Sequence, residues 1–89
     1  MDVEWDGRKA ETNLRKHGIA FGEAASVLYD EHALTIVDER AGDTRLIKVG
    51  ANQSGRILVL VYTLRGTRFR LISARRATTK ERRMYSEGA

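Results

Sequence analysis

Apolar and polar positions repeat with two different periods along this chain, and the changes of period divide it into elements. Val3 and Trp5 alternate with Asp2 and Glu4, the two-residue period of a short strand with one polar face over residues 1–5. From Asp6 the spacing lengthens. Asp6 reads as a helix N-cap and Gly18 as the C′ stop of GRKAETNLRKH, which predicts about three helical turns. Within it Ala10 and Leu14 form an apolar stripe, and Lys9, Asn13, Lys16 and His17 form a polar stripe beside it. A second helix, FGEAASVLYD, places Phe21, Ala24, Ala25 and Leu28 on one face, with Gly22 weakening its start.

The period then returns to two. ALTIVDE, TRLIKVGA and RILVLVYTL read as three strands, joined by the polar, Gly-containing hairpin loops DERAGD and NQSG. Residues 56–64 are apolar on both faces, which predicts the central strand, buried from two sides. Arg65-Gly66 turns the chain tightly into TRFRLISARRA. Strict alternation there groups Arg68 and Arg70 with Arg76, and Arg75 with Ser73. Thr78 and Glu81 form a capping box that opens a last helix, TKERRMYSE, ended by Gly88. The expected fold is a single small α+β domain over residues 1–89: short strand, two helices, antiparallel meander and C-terminal helix. Helices cover one sheet face, and a concave face is left free.

Composition narrows the function. Eighty-nine residues allow one modest core, and 42% hydrophobic content is ordinary for a folded chain. No apolar run reaches membrane-spanning length and the N-terminus carries no signal pattern, so no membrane association and a cytoplasmic location are expected. There are no cysteines, and neither His17 nor His32 has a second metal-type ligand at helical spacing. No metal site and no cofactor are expected. The net charge of +4 hides an asymmetry. Residues 1–55 carry seven Lys/Arg and ten Asp/Glu, net −3, and residues 56–89 carry nine and two, net +7. Eight of those nine cations are Arg, whose planar fork suits phosphate. An anionic partner follows, with RNA the expected one.

Two groups of residues could carry chemistry. Near the C-terminus, Arg75 stands at the end of a strand that feeds a helix, with Arg76 beside it. Glu81 and Tyr85 share one side of that helix at i and i+4, with Arg82 adjacent. Glu81 reads as a cap or as the ion-pair partner of Arg75 rather than as a base. In the first helix His17 is the side chain suited to proton transfer at neutral pH, in company with Lys9, Asn13 and Lys16.

The stretches WDxxKAxxNxxKHGIxF (residues 5–21) and ISARRATxxERxxY (residues 72–85) resemble the BrnT family, toxin halves of bacterial type II toxin–antitoxin pairs with a fold similar to RelE-type ribonucleases. The first motif is carried by Trp5, Asp6, Lys9, Asn13, Lys16, His17, Gly18 and Phe21, the second by Ser73, Arg75, Arg76, Glu81, Arg82 and Tyr85. The chain departs from the expected pattern at Ala20, where a helix-capping Ser or Asp would be natural. The resemblance implies a metal-independent endoribonuclease that arrests translation. It also implies a ribbon-helix-helix antitoxin (BrnA-like), with operator DNA bound only through the toxin–antitoxin complex. Attack of a 2′-OH on the adjacent phosphorus needs a base, an acid and cations. On that reading Arg75, Lys16, His17 and Tyr85 are the catalytic candidates, with His17 and Tyr85 moving protons. Lys9, Asn13, Arg65, Arg68, Arg70, Arg76 and Arg82 are the RNA-binding candidates. The same basic half would also serve a non-catalytic nucleic-acid-binding module, or one that only docks an antitoxin.

Overall fold

The computed structural model of the chain describes residues 2–39 and 44–88. Its elements are β1 (Asp2–Glu4), α1 (Gly7–His17), α2 (Phe21–Ala24), a 3₁₀ helix (Ala25–Tyr29), β2 (Leu34–Asp38), β3 (Arg45–Ala51), β4 (Ile57–Arg65), β5 (Arg68–Arg76) and α3 (Thr79–Gly88). The five strands form one mixed sheet in the order β1-β5-β4-β3-β2, antiparallel except where β1 runs parallel to β5. β4 is the middle strand, with Leu58, Val59 and Leu60 buried, as its two-sided apolar run requires. The hairpin expected at DERAGD has residues 40–43 outside the described residues.

Local chemistry accounts for the ends of α1. Asp6 Oδ1 accepts from Arg8 N at 2.8 Å and Lys9 N at 3.2 Å, and Gly18 closes the helix at φ 72° with its N–H on Leu14 O. Ala20 offers α2 no side-chain cap; α2 is one turn long and tightens into the 3₁₀ helix instead of continuing to Asp30. The 3₁₀ helix presses on β3 at Gly50. A Cβ there would stand 3.1 Å from Val27 Cγ1 of that helix and 2.8 Å from Ala33 Cβ in the segment after it, so only glycine permits the approach.

Ile19, Phe21, Ala24 and Val27 pack on Leu58, Leu60, Tyr62, Leu71 and Ala74, filling the sheet face under α2. Burying one such large side chain contributes about 1.5–3 kcal/mol. The opposite face is not free, contrary to expectation. There α3 lays Tyr85 against Val49, Val59 and Ala77, with Leu34, Ile47 and Ile57 around them. The uncovered part of that face is the half carrying β5 and β1. Two aromatics stand outside the core, Trp5 at 40% and Tyr29 at 65% exposure.

A β-bulge in β5 decides which side chains share a face. Val61 pairs with Ser73 but Tyr62 pairs with Leu71, so Ile72 is an extra residue. Strict alternation therefore fails. Arg68, Arg70, Ser73 and Arg75 pair with Arg65, Thr63, Val61 and Val59 and fall on the α3 face, while Arg76 pairs with Leu58 and turns to the other face. The grouping of Arg76 with Arg68 and Arg70 is thus corrected, and Arg75 takes its place.

Just past the bulge α1 docks on the edge of β5. Asn13, only 5% exposed, donates from Nδ2 to Ala74 O (2.8 Å) and Ile19 O (3.0 Å) and accepts at Oδ1 from Ala74 N (3.0 Å). Its amide stands in for a neighbouring strand where β1 has ended. Asn13→Ala would leave three buried backbone groups unpaired. We predict a loss of about 2–4 kcal/mol in urea unfolding. Asn13→Asp should recover little of it, because a carboxylate cannot donate to the two carbonyls.

Candidate active site

Because Asn13 points inward, the face of α1 directed at the sheet is Ala10, Asn13 and His17, and Leu14 is 49% exposed at the edge of that face, beside Trp5 and Phe21. The apolar stripe Ala10–Leu14 is therefore rotated from its expected place, since satisfying two strand-edge groups outweighs burying one leucine. Beside Asn13 a groove of about 370 Å³ opens between α1 and β5. Arg8, Lys9, Thr12, Lys16 and His17 line it from α1, and Ile72 and Ser73 from the bulge. Arg8 and Thr12 were not among the sequence candidates, although Arg8, Thr12 and Lys16 stand at i, i+4 and i+8 and so share one helical stripe. Among the described residues no carboxylate lines the groove. The His17 ring has no hydrogen-bond partner among the described residues.

Three arginines of β5 continue this surface, each held by a carboxylate. Arg70 Nη1 meets Glu4 Oε2 at 2.6 Å, and Arg68 stands 3.7 Å from the other Glu4 oxygen. The Arg70 hydrogen bond holds the Glu4 carboxyl below its usual range. Arg75 forks onto Glu81 with bonds of 2.7 and 2.8 Å and donates to Arg76 O at 3.2 Å. Glu81 also caps α3: its Oε1 accepts from Thr78 N at 2.8 Å, while Thr78 Oγ1 accepts from Glu81 N at 3.1 Å. Both roles expected for Glu81, cap and ion-pair partner, are filled at once. The Arg75 fork, helped by Thr78, lowers its pKa to about 2. Arg75 remains 40% exposed at its side chain, so the guanidinium keeps an open edge.

Four of the candidates do not join this cationic surface. Asn13 has its amide committed to backbone and is not available to RNA. Tyr85 donates its hydroxyl to Asp30 Oδ2 at 2.7 Å, an oxygen that also accepts from Ala51 N. That bond raises the phenol's pKa and fixes Tyr85 over β3, two strands (about 10 Å) from β5. His17 and Tyr85 are therefore not brought to one phosphate. Arg76 faces away, and Arg82 lies exposed on α3, 3.3 Å from Thr79 Oγ1. Brought together are Lys9, Lys16 and His17 in the groove, with Arg75, Arg70, Arg68 and Arg65 on the adjoining α3 face.

A small α+β domain with a histidine in a cationic groove presents a surface suited to an anionic polymer such as nucleic acid. Residues 5–81 match the family described as "Ribonuclease toxin, BrnT, of type II toxin-antitoxin system", and the chain belongs to that family. Among solved structures it is similar to the Brucella abortus ribonuclease toxin BrnT, with 26% identity, a TM-score of 0.72, and coverage of 89% of this chain and 99% of that one. A comparison with curated proteins finds no match. Family membership makes the chain a ribonuclease toxin of a type II pair, acting on RNA and controlled by an antitoxin. No helix among the described residues is long and apolar enough to cross a membrane.

Glu81 supplies a pH test of this architecture. Its folded pKa of about 2 lies below the ordinary 4.5, so its stabilisation is complete above about pH 4.5 and is lost as pH falls toward 2. Glu81→Gln should cost about 1–2 kcal/mol near pH 7, allowing for the exposure of Arg75. The difference from the parent should shrink on acidification, as followed by thermal unfolding at a series of pH values. A difference that does not change with pH would show that the carboxylate charge is not what holds Arg75.

Proposed function

We propose that the chain is an endoribonuclease that cleaves RNA by attack of a ribose 2′-oxygen on the adjacent phosphorus, without metal, and so inhibits translation in the cytoplasm. The observation that carries this reading is the groove between α1 and β5. It sets His17 among Arg8, Lys9 and Lys16, beside a sheet face bearing Arg68, Arg70 and Arg75, with no carboxylate among the described residues of its lining to bind a cation.

In this mechanism the arginines and Lys9 hold the phosphates flanking the scissile bond. His17 takes the 2′-OH proton as the 2′-oxygen bonds to phosphorus. Lys16 and Arg75 stabilise the extra negative charge of the phosphorane. The P–O5′ bond then breaks, the 5′-oxygen takes a proton from water, and a 2′,3′-cyclic phosphate remains. Glu81 sets the orientation of the Arg75 fork. Tyr85, committed to Asp30, anchors α3 and moves no proton.

The cognate antitoxin, of ribbon-helix-helix type, is proposed to neutralise the chain by laying an acidic segment over the same cations. The complex, through the antitoxin, would bind operator DNA.

The test is cleavage of an RNA oligonucleotide by the purified chain in excess EDTA, with growth arrest on induced expression as the cellular readout. Cleavage should persist in EDTA. His17→Ala should lower kcat/KM by about 10²-fold and Arg75→Lys, which keeps charge but loses the fork, by at least about tenfold. Tyr85→Phe should stay within about threefold of the parent. Abolition by EDTA would overturn the metal-free route, and full activity of His17→Ala would overturn its role as base.

A further inference from the structure

The polar atoms of the groove are unequal in what they recognise. Arg8, Lys9 and Lys16 only donate, which suits anionic phosphate oxygens. Asn13 has its amide spent on Ala74 and Ile19. His17 is taken by the scissile proton in the reading above. That leaves two hydroxyls, those of Thr12 and Ser73. Thr12 is exposed on the helix rim, whereas Ser73 is half-buried on β5, directly after the bulge residue Ile72. The Ser73 hydroxyl makes no hydrogen bond among the described residues. A partly buried hydroxyl without a partner, in a groove whose charged groups Arg8, Lys9 and Lys16 only donate, is a recognition element still awaiting its ligand.

We infer that Ser73 reads a ribose 2′-hydroxyl of the bound strand and is the residue by which the groove prefers RNA to DNA. A 2′-OH both donates and accepts, and a serine hydroxyl can meet either half of that requirement where a cation cannot. The bulge adds the geometry. It brings Ser73 and Arg75, which stand two residues or about 7 Å apart along the strand, onto the face of Arg68 and Arg70, so a strand with a phosphate on Arg75 carries a sugar within reach of Ser73. Without the extra residue at Ile72, strict alternation would separate this hydroxyl from Arg68 and Arg70. The inference rests on the proposed placement of RNA in this groove.

The experiment compares an RNA oligonucleotide with its all-2′-fluoro analogue, which keeps an RNA-like sugar but cannot donate and is not cleaved. The RNA constant comes from the concentration dependence of single-turnover cleavage, and the analogue's from competition in the same assay. The parent should favour RNA about tenfold, the worth of one good hydrogen bond. Ser73→Ala should bring the ratio to about one with the analogue's affinity held within about twofold, and Ser73→Thr should retain the preference. Thr12→Ala should leave the ratio unchanged.

A ratio that survives Ser73→Ala, or equal weakening of both oligonucleotides, would overturn the inference. So would a parent that shows no preference. If the parent fails to cut RNA, the catalytic reading fails, but direct anisotropy binding of the intact RNA and the analogue still measures the ratio and still decides the role of Ser73.

Discussion

The side-chain amide of Asn13 holds the site together. β1 pairs with β5 only as far as Arg70, and beyond it the edge of β5 would present buried backbone groups to nothing. Asn13 answers both polar groups of Ala74 and a carbonyl of Ile19 as well, so one residue fastens the middle of α1, the turn after it and the bulged strand. Each of these bonds is buried, where an unmade partner costs more than a made one contributes. Everything α1 offers to the groove, from Arg8 to His17, is placed by that junction.

The bulge at Ile72 works with it. By inserting one residue it changes the parity of β5 and brings Arg75 to the face already occupied by Arg65, Arg68 and Arg70. So many guanidinium groups on one face repel each other, and the fold relieves this without neutralising it. Glu4 serves Arg70 and Arg68, and Glu81 serves Arg75, so two carboxylates steady three arginines while a net positive surface remains. A ribonuclease needs that balance, with cations rigid enough to hold a phosphate in place and not so fully paired that it finds no open donor.

The far half of the same face belongs to α3, and its attachment is polar at both ends. Near its start, Thr78 and Glu81 close a capping box that also holds Arg75. Toward its end the Tyr85 hydroxyl meets Asp30, which also accepts from Ala51 N on β3. Since no residue of α3 is fully buried, these bonds carry much of the helix's placement. They also explain why two residues of one sequence motif, Arg75 and Tyr85, separate into different tasks, one beside the groove and one tying the closing helix to the 3₁₀ region.

Read alone, the sequence determined the α+β class, the order of elements, the caps at Asp6, Gly18 and Thr78, and the central place of the strand read at residues 56–64, because each follows from short-range rules of period, capping and turn chemistry. It also determined, through two long motifs, the ribonuclease toxin family. Only the tertiary structure decided which residues meet. Asn13 looked like a member of a solvent-facing stripe because its partner, Ala74, lies 61 residues away. Arg76 was grouped with Arg68 and Arg70 because alternation cannot foresee an inserted residue, and Tyr85 was matched with His17 because nothing local announces Asp30 as the partner of its hydroxyl. Period and propensity act over a few residues, whereas strand parity, edge pairing and buried hydrogen bonds are settled between segments far apart in the chain.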